Sequence, residues 1–296
     1  MWQHIVPKDA VSHSFLMHGL LAFSALHLAS LHQDTPLRYH YAQLCQSHQA
    51  KAIPEFRRAL LDLKPASSGP CFAMGSILAC LAVAAVSDNR LELALNDWGF
   101  ANEGIIVPQS VVCFDTLLSL FTLTRGIRSI LEPSWAWDTF SCSPYAVAVH
   151  GHGAVDFDVF QLPHQISHAY VELRQGIEDI AESELSDIQK TACLAALHER
   201  EHVEKDLVFH QETTQSQQKP TNTGTTSQDN IEPSFLFRWF VTVPDEFVSL
   251  LTARNSTAME ILRGFISLLE PLEDAWYLHG FVPNANKALG NTGADM

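Results

Sequence analysis

The sharpest chemical signal in the sequence is His198-Glu-Arg-Glu-His202, which satisfies the HExxH pattern within a stretch of helical periodicity. At i and i+4 the two imidazoles share one helix face, the geometry that holds zinc in metalloproteases, with Glu199 placed as the general base. Three features speak against metal chemistry. The intervening positions are Arg200 and Glu201, charged where a zinc helix in a protected cleft carries neutral residues, and the continuation with a further Gly and His is absent. A long polar stretch also follows close behind, a poor support for a preorganised site. We read the segment as a solvated, charged helix end, keep a metal hydrolase on His198, Glu199 and His202 as an alternative, and expect no cofactor.

His150 and His152 lie in a Gly-flanked loop, and His164 and His168 are spaced for one helical face, but no Cys or carboxylate pair reinforces them. With 15 histidines in the chain, such spacings arise by chance. Nucleophile and nucleotide motifs are missing: there is no G-x-S-x-G elbow, no Walker A loop and no G-x-G-x-x-G after a strand. The Gly75-Ser76 pair falls inside an apolar helix, where Gly permits close helix packing. The reading therefore leans away from an enzyme. A different chemistry is open to the C-terminal apolar residues Trp239, Phe247, Met259, Leu262, Phe265, Ile266, Trp276 and Phe281, which are dense enough to line a ligand cavity between helices. The same residues would equally build a core, and spacing alone favours the core.

Helices must position all of these groups, because apolar residues recur at helical spacing through most of the chain while strict alternation is rare. The fold class expected is all-α, a multi-helix bundle. The spacing predicts a first helix over Asp9–His32 and a second over Leu37–Leu63, kinked or divided at Pro54. After a turn at Ala66–Pro70, an almost wholly apolar helix over Cys71–Val86 is expected to sit centrally. Further helices are expected over Leu91–Ile105, Val111–Leu131, Gln165–Ala181, Asp187–Val208 and Ala258–Gly280, with an extended connection and one short helix over Pro133–Pro163. Gln211–Asn230, built almost wholly from Gln, Thr, Ser, Asn and Asp, cannot bury enough apolar area to offset ordering entropy. The expected organisation is a helical regulatory domain over 1–210, a disordered polar linker or insertion over 211–230, C-terminal helices over 231–283 that complete the same domain, and a flexible tail over 284–296.

The 296 residues are 47% hydrophobic, enough for a sizeable core without staples. A balance of 18 basic against 33 acidic residues, net −15, lacks the clustered Lys and Arg that a phosphate backbone requires, so no direct nucleic-acid binding is expected. No secretory signal opens the sequence, and the apolar windows Phe15–Leu31 and Phe72–Val86 read as buried helices with no membrane span. Six scattered cysteines, Cys45, Cys71, Cys80, Cys113, Cys142 and Cys193, read as small hydrophobes in a reducing compartment.

Several landmarks together resemble a known family. The opening Trp2, Val6-Pro7 and His13 to Ala29, the segment Tyr41 to Ala50 with Phe56-Arg57, and Arg125 to Leu131 are similar to the regulatory region of fungal zinc-cluster transcription factors, especially the sterol uptake control group. Arg238-Trp239, Val243-Pro244, Phe247, Ala258 to Leu262 and Trp276 to Phe281 are similar to that region's C-terminal helices. The resemblance implies an all-helical effector domain that senses a sterol or other apolar small molecule, contacts protein partners of the transcription machinery, and resides in the nucleus and/or cytoplasm; it leaves open a homodimer. The family's zinc cluster uses six closely spaced cysteines, a spacing absent here, so we expect an effector domain without the DNA-binding module. The polar insertion at 211–230 and the short ending after Phe281 also depart from the family. An alternative function is an accessory protein or enzyme of a fungal secondary-metabolite pathway that uses the helical pocket.

Overall fold

A computed structural model describes residues 2–32, 34–87, 114–131, 133–143, 145, 160–217 and 234–290. All regular structure among them is helical, with no strand. The chain divides into two compact units, one formed by Met1–His152 with Leu269–Met296, the other by Gly153–Leu268.

The first unit is built on α1 (Val6–Ser12), α2 (Ser14–Leu31), α3 (Thr35–Leu61), α4 (Pro65–Ser87), α5 (Phe114–Leu131) and α6 (Ala136–Ser141). The expected first helix is in fact two. His13 adopts an extended backbone, and its Nδ1 lies 2.9 Å from the carbonyl oxygen of Asp9, so the ring occupies the end of α1 and the chain restarts as α2. α3 runs unbroken through Pro54. α4 starts earlier than its sequence suggested, because Ser68, Gly69 and Pro70 are buried, and that burial outweighs the hydrogen bond that Pro70 cannot donate.

α4 is the centre of this unit, packed by α1, α2, α3, α5 and α6. Its glycine works as the sequence predicts: a Cβ on Gly75 would sit 2.9 Å from Cγ1 of Ile127, so only Gly lets α5 approach this closely. By length and composition both α2 and α4 could cross a membrane; α4 is buried along most of its length, while much of α2 is not. Cys45, Cys71 and Cys193 are buried, and burial pushes their thiols up to about 12, 11 and 11, which keeps them protonated and inert.

The second unit contains α7 (His164–Glu178), α8 (Asp187–Gln217), α9 (Ser234–Thr242), α10 (Asp245–Thr252) and α11 (Ser256–Ser267). α8 is the spine on which the other four pack. It continues to Gln217, into the stretch expected to be linker; residues 218–233 lie outside the described residues, as does the helix expected over Leu91–Ile105. α11 stops at Ser267 rather than running to Gly280, since Pro271 cannot donate to a helix and a short 3-10 turn, Glu270–Leu272, takes its place. A final helix, α12 (Phe281–Gly290), belongs to the first unit and packs on α4 and α5. The tail expected from Asn284 is therefore helical to Gly290, with Ala285, Ala288 and Leu289 buried.

Candidate functional site

The residues proposed from sequence to line an apolar cavity fall in both units. Trp239, Phe247, Met259, Leu262, Phe265 and Ile266 share the second unit, where all six are buried. Asn255 starts α11 by accepting a hydrogen bond from the Ala258 backbone N–H at 3.2 Å, and the apolar face that follows points Met259, Leu262, Phe265 and Ile266 inward. The Trp239 ring stacks on Phe265 at 4.0 Å with planes 12° apart, and Phe247 meets it edge-on at 5.9 Å. Its indole N–H donates to the Ala196 carbonyl of α8 at 3.0 Å. The rings of Trp239, Phe240, Phe247 and Phe265 pack against one another in the core of this unit.

Trp276 and Phe281 belong to the first unit. Trp276 is half-buried, stacked on His27 at 4.6 Å and tilted against Phe23 at 5.0 Å. Phe281 is buried at the start of α12. Neither of the two cavities described below is lined by any of the eight residues.

His198 and His202 share a face as their spacing predicts, with ring centroids 4.2 Å apart. Their neighbours are otherwise engaged. Glu199 accepts from the Thr242 hydroxyl at 3.2 Å and faces Arg238 at 3.7 Å, so its carboxylate is turned to α9. Glu201 is held by Arg174 and by Lys205 at 3.3 Å. Burial, and then the neighbouring His198, lowers the pKa of His202. Among the described residues no group of three or more His, Cys, Asp or Glu is placed to hold a metal. His168 faces Glu172 at 3.4 Å, while His150 and His152 lie outside the described residues.

Two arrangements were not found from sequence. Between α7 and α8 lies an open cavity of about 280 Å³ lined by Ile166, Ala169, Leu173, Arg200 and Glu204 among others, and beside it a more polar one of about 520 Å³ reaching Glu201 and Lys205. In the sequence the cavity shows only as Arg200 and Glu204, four residues apart on α8, the first of them lying inside the histidine motif. In the first unit, His18 of α2 and His48 of α3 meet with their Nδ1 atoms 2.9 Å apart, a pairing across thirty residues that no local spacing announces.

Comparison with known proteins shows what the chain is similar to. Residues 1–92 match the family described as the fungal specific transcription factor domain. A Zn(2)-C6 fungal-type transcription factor of Gibberella zeae is 22% identical over 282 residues, which cover 94% of this chain and 50% of that protein. Sterol uptake control protein 2 of Saccharomyces cerevisiae is 34% identical over 89 residues, 30% of this chain and 9% of that protein. Residues 1–92 thus match a fungal transcription-factor domain, and almost the whole chain shares a lower level of identity with half of a zinc-cluster factor. It spans about half the length of the first of these relatives and a small part of the second. The likeness to the zinc-cluster factor runs along almost the whole chain, whereas the likeness to the sterol uptake protein is local.

Proposed function

We propose that this chain is a regulatory module that changes transcription through contacts with protein partners, in the nucleus and/or cytoplasm, and that an apolar small molecule of the sterol class sets those contacts. The observation that carries the first part is the outer face of α2 and α3, the hairpin within the region that matches the transcription-factor family. α2 contains no charged residue, and Leu21 and Leu28, seven residues apart, are exposed on it; Leu37 and Leu44 repeat that spacing on α3 and are also exposed. Leucines at heptad spacing on a helix surface suit burial against a second helix, from a partner protein or a second copy of the chain. The net charge of −15 supports a role without phosphate-backbone binding by these residues.

The sterol part draws on the name of the yeast relative and on the aromatic core around Trp239, Phe247, Met259, Leu262, Phe265 and Ile266 of the second unit. Ergosterol titrated into the purified chain should raise its melting temperature, because a ligand that binds only the folded state stabilises it by mass action. The indole emission should change with the same midpoint, and Trp239→Phe should remove most of that change. A melting temperature that ignores saturating sterol removes the sensing part and leaves the contact-based role standing.

A further inference from the structure

The groove between α7 and α8 contains a cation whose neighbouring anions are already committed. On α8, Glu201 is held by Arg174 and Lys205, and Glu204 accepts the Tyr170 hydroxyl at 2.6 Å. Arg200, directly before Glu201 and one turn before Glu204, pairs with no carboxylate among the described residues. Its guanidinium carbon stands 5.2 Å from the centroid of the Tyr170 ring, and its Nε is buried without an acceptor. The far end of the side chain lies against Gly264 of α11, where a Cβ would come within 2.8 Å of Nη2 and closer to the rest of the guanidinium. Tyr170 and Gly264 together thus fix the fork on the wall of the groove.

The opposite wall is apolar. Ile166, Ala169 and Leu173 follow one another at three- and four-residue steps along α7 and line the same cavity of about 280 Å³. A planar guanidinium matches a carboxylate in a paired hydrogen bond better than any other anion holder on a protein. We propose that this groove binds a small amphipathic carboxylate, its head on Arg200 and its hydrocarbon part along Ile166, Ala169 and Leu173. The site is separate from the aromatic core around Trp239 and does not depend on the sterol reading.

The test is calorimetric titration of the whole chain with decanoate and with decan-1-ol, both below their aggregation limits, alongside thermal melts. Decanoate should saturate one site and raise the melting temperature, and decan-1-ol should bind at least about tenfold more weakly. Arg200→Gln should cost decanoate at least about tenfold in affinity, and Arg200→Lys, which keeps the charge but loses the fork, an intermediate amount. Gly264→Ala displaces only the flexible end of Arg200 and should weaken decanoate while leaving the helical circular dichroism unchanged. No saturable decanoate binding, equal binding of acid and alcohol, or undiminished binding in folded Arg200→Lys and Gly264→Ala would each overturn the proposal.

Discussion

The side-chain amide of Asn284 donates to the carbonyl oxygen of Ser87 at 2.9 Å, and to that of Val86 at 3.1 Å. Carbonyls at a helix C-terminus have no partner within the helix, so a residue almost two hundred positions later completes the end of α4. Ser87 returns the contact by donating its hydroxyl to the Tyr277 carbonyl at 2.7 Å. Gly280 makes the approach feasible: it takes φ +85, and a Cβ there would lie 2.8 Å from the Ser87 oxygen.

Asn284→Ala should therefore destabilise the chain by ~1–3 kcal/mol, the usual cost of stranding partly buried acceptors. Gly280→Ala should cost at least as much, since it adds an unfavourable backbone conformation to a steric clash. Urea denaturation of the two variants checks both, and midpoints equal to the parent's would show that the α4 terminus has other support.

Trp239 anchors the second unit in a comparable way, through both packing and its indole N–H. Trp239→Ala should lose ~3–5 kcal/mol by leaving a cavity against Phe265 and Phe247. Trp239→Phe retains the stack and forfeits the bond to Ala196, for a loss of ~1 kcal/mol. The difference between the two urea midpoints separates packing from hydrogen bonding.

The His18–His48 pair makes stability depend on pH. Burial, reinforced by His18 and Lys51, lowers the His48 pKa below its ordinary value of 6.5. The folded chain then binds fewer protons than the unfolded one, so this contribution is complete above about pH 6.5 and is lost as pH falls through the folded value. His48→Gln should reduce the drop in melting temperature between pH 7.5 and pH 5.5. His202, also lowered, adds to the parent's drop, so the variant retains part of it.

Asp206 runs the other way. Burial pushes its carboxyl up to about 6, against the pull of Arg238. A raised carboxylate costs stability once it must ionise, and the loss develops as pH rises from about 4 to about 6. Asp206→Asn should therefore raise the melting temperature at pH 7.5 and change it little at pH 4. An equal effect at both pH values would mean that ionisation is not the cause.

Class and site were legible to different degrees. Helical periodicity identified the all-α fold, and the apolar run over Cys71–Val86 marked α4 as central, with Gly75 at a close crossing. Boundaries failed where one residue decided them. His13 breaks the first helix through a ring-to-backbone contact, and Pro271 ends α11 although its position was visible in the sequence. The candidate site was less accessible for a topological reason. Trp239 and Trp276 are dense neighbours in a list of aromatics, yet the chain assigns them to different units. Arg200 looked like an interruption of a histidine motif, and only the packing of α7 and α11 on α8 shows what surrounds it.

The contact-based account is tested most directly by comparing transcripts from a host lacking this chain with those from a host carrying Leu21→Glu together with Leu28→Glu on the exposed face of α2. With folding verified by circular dichroism, the account predicts that the double variant reproduces the transcript changes of the deletion. A double variant with parental transcripts, or a deletion that leaves transcripts unchanged while a metabolic intermediate accumulates, would contradict it.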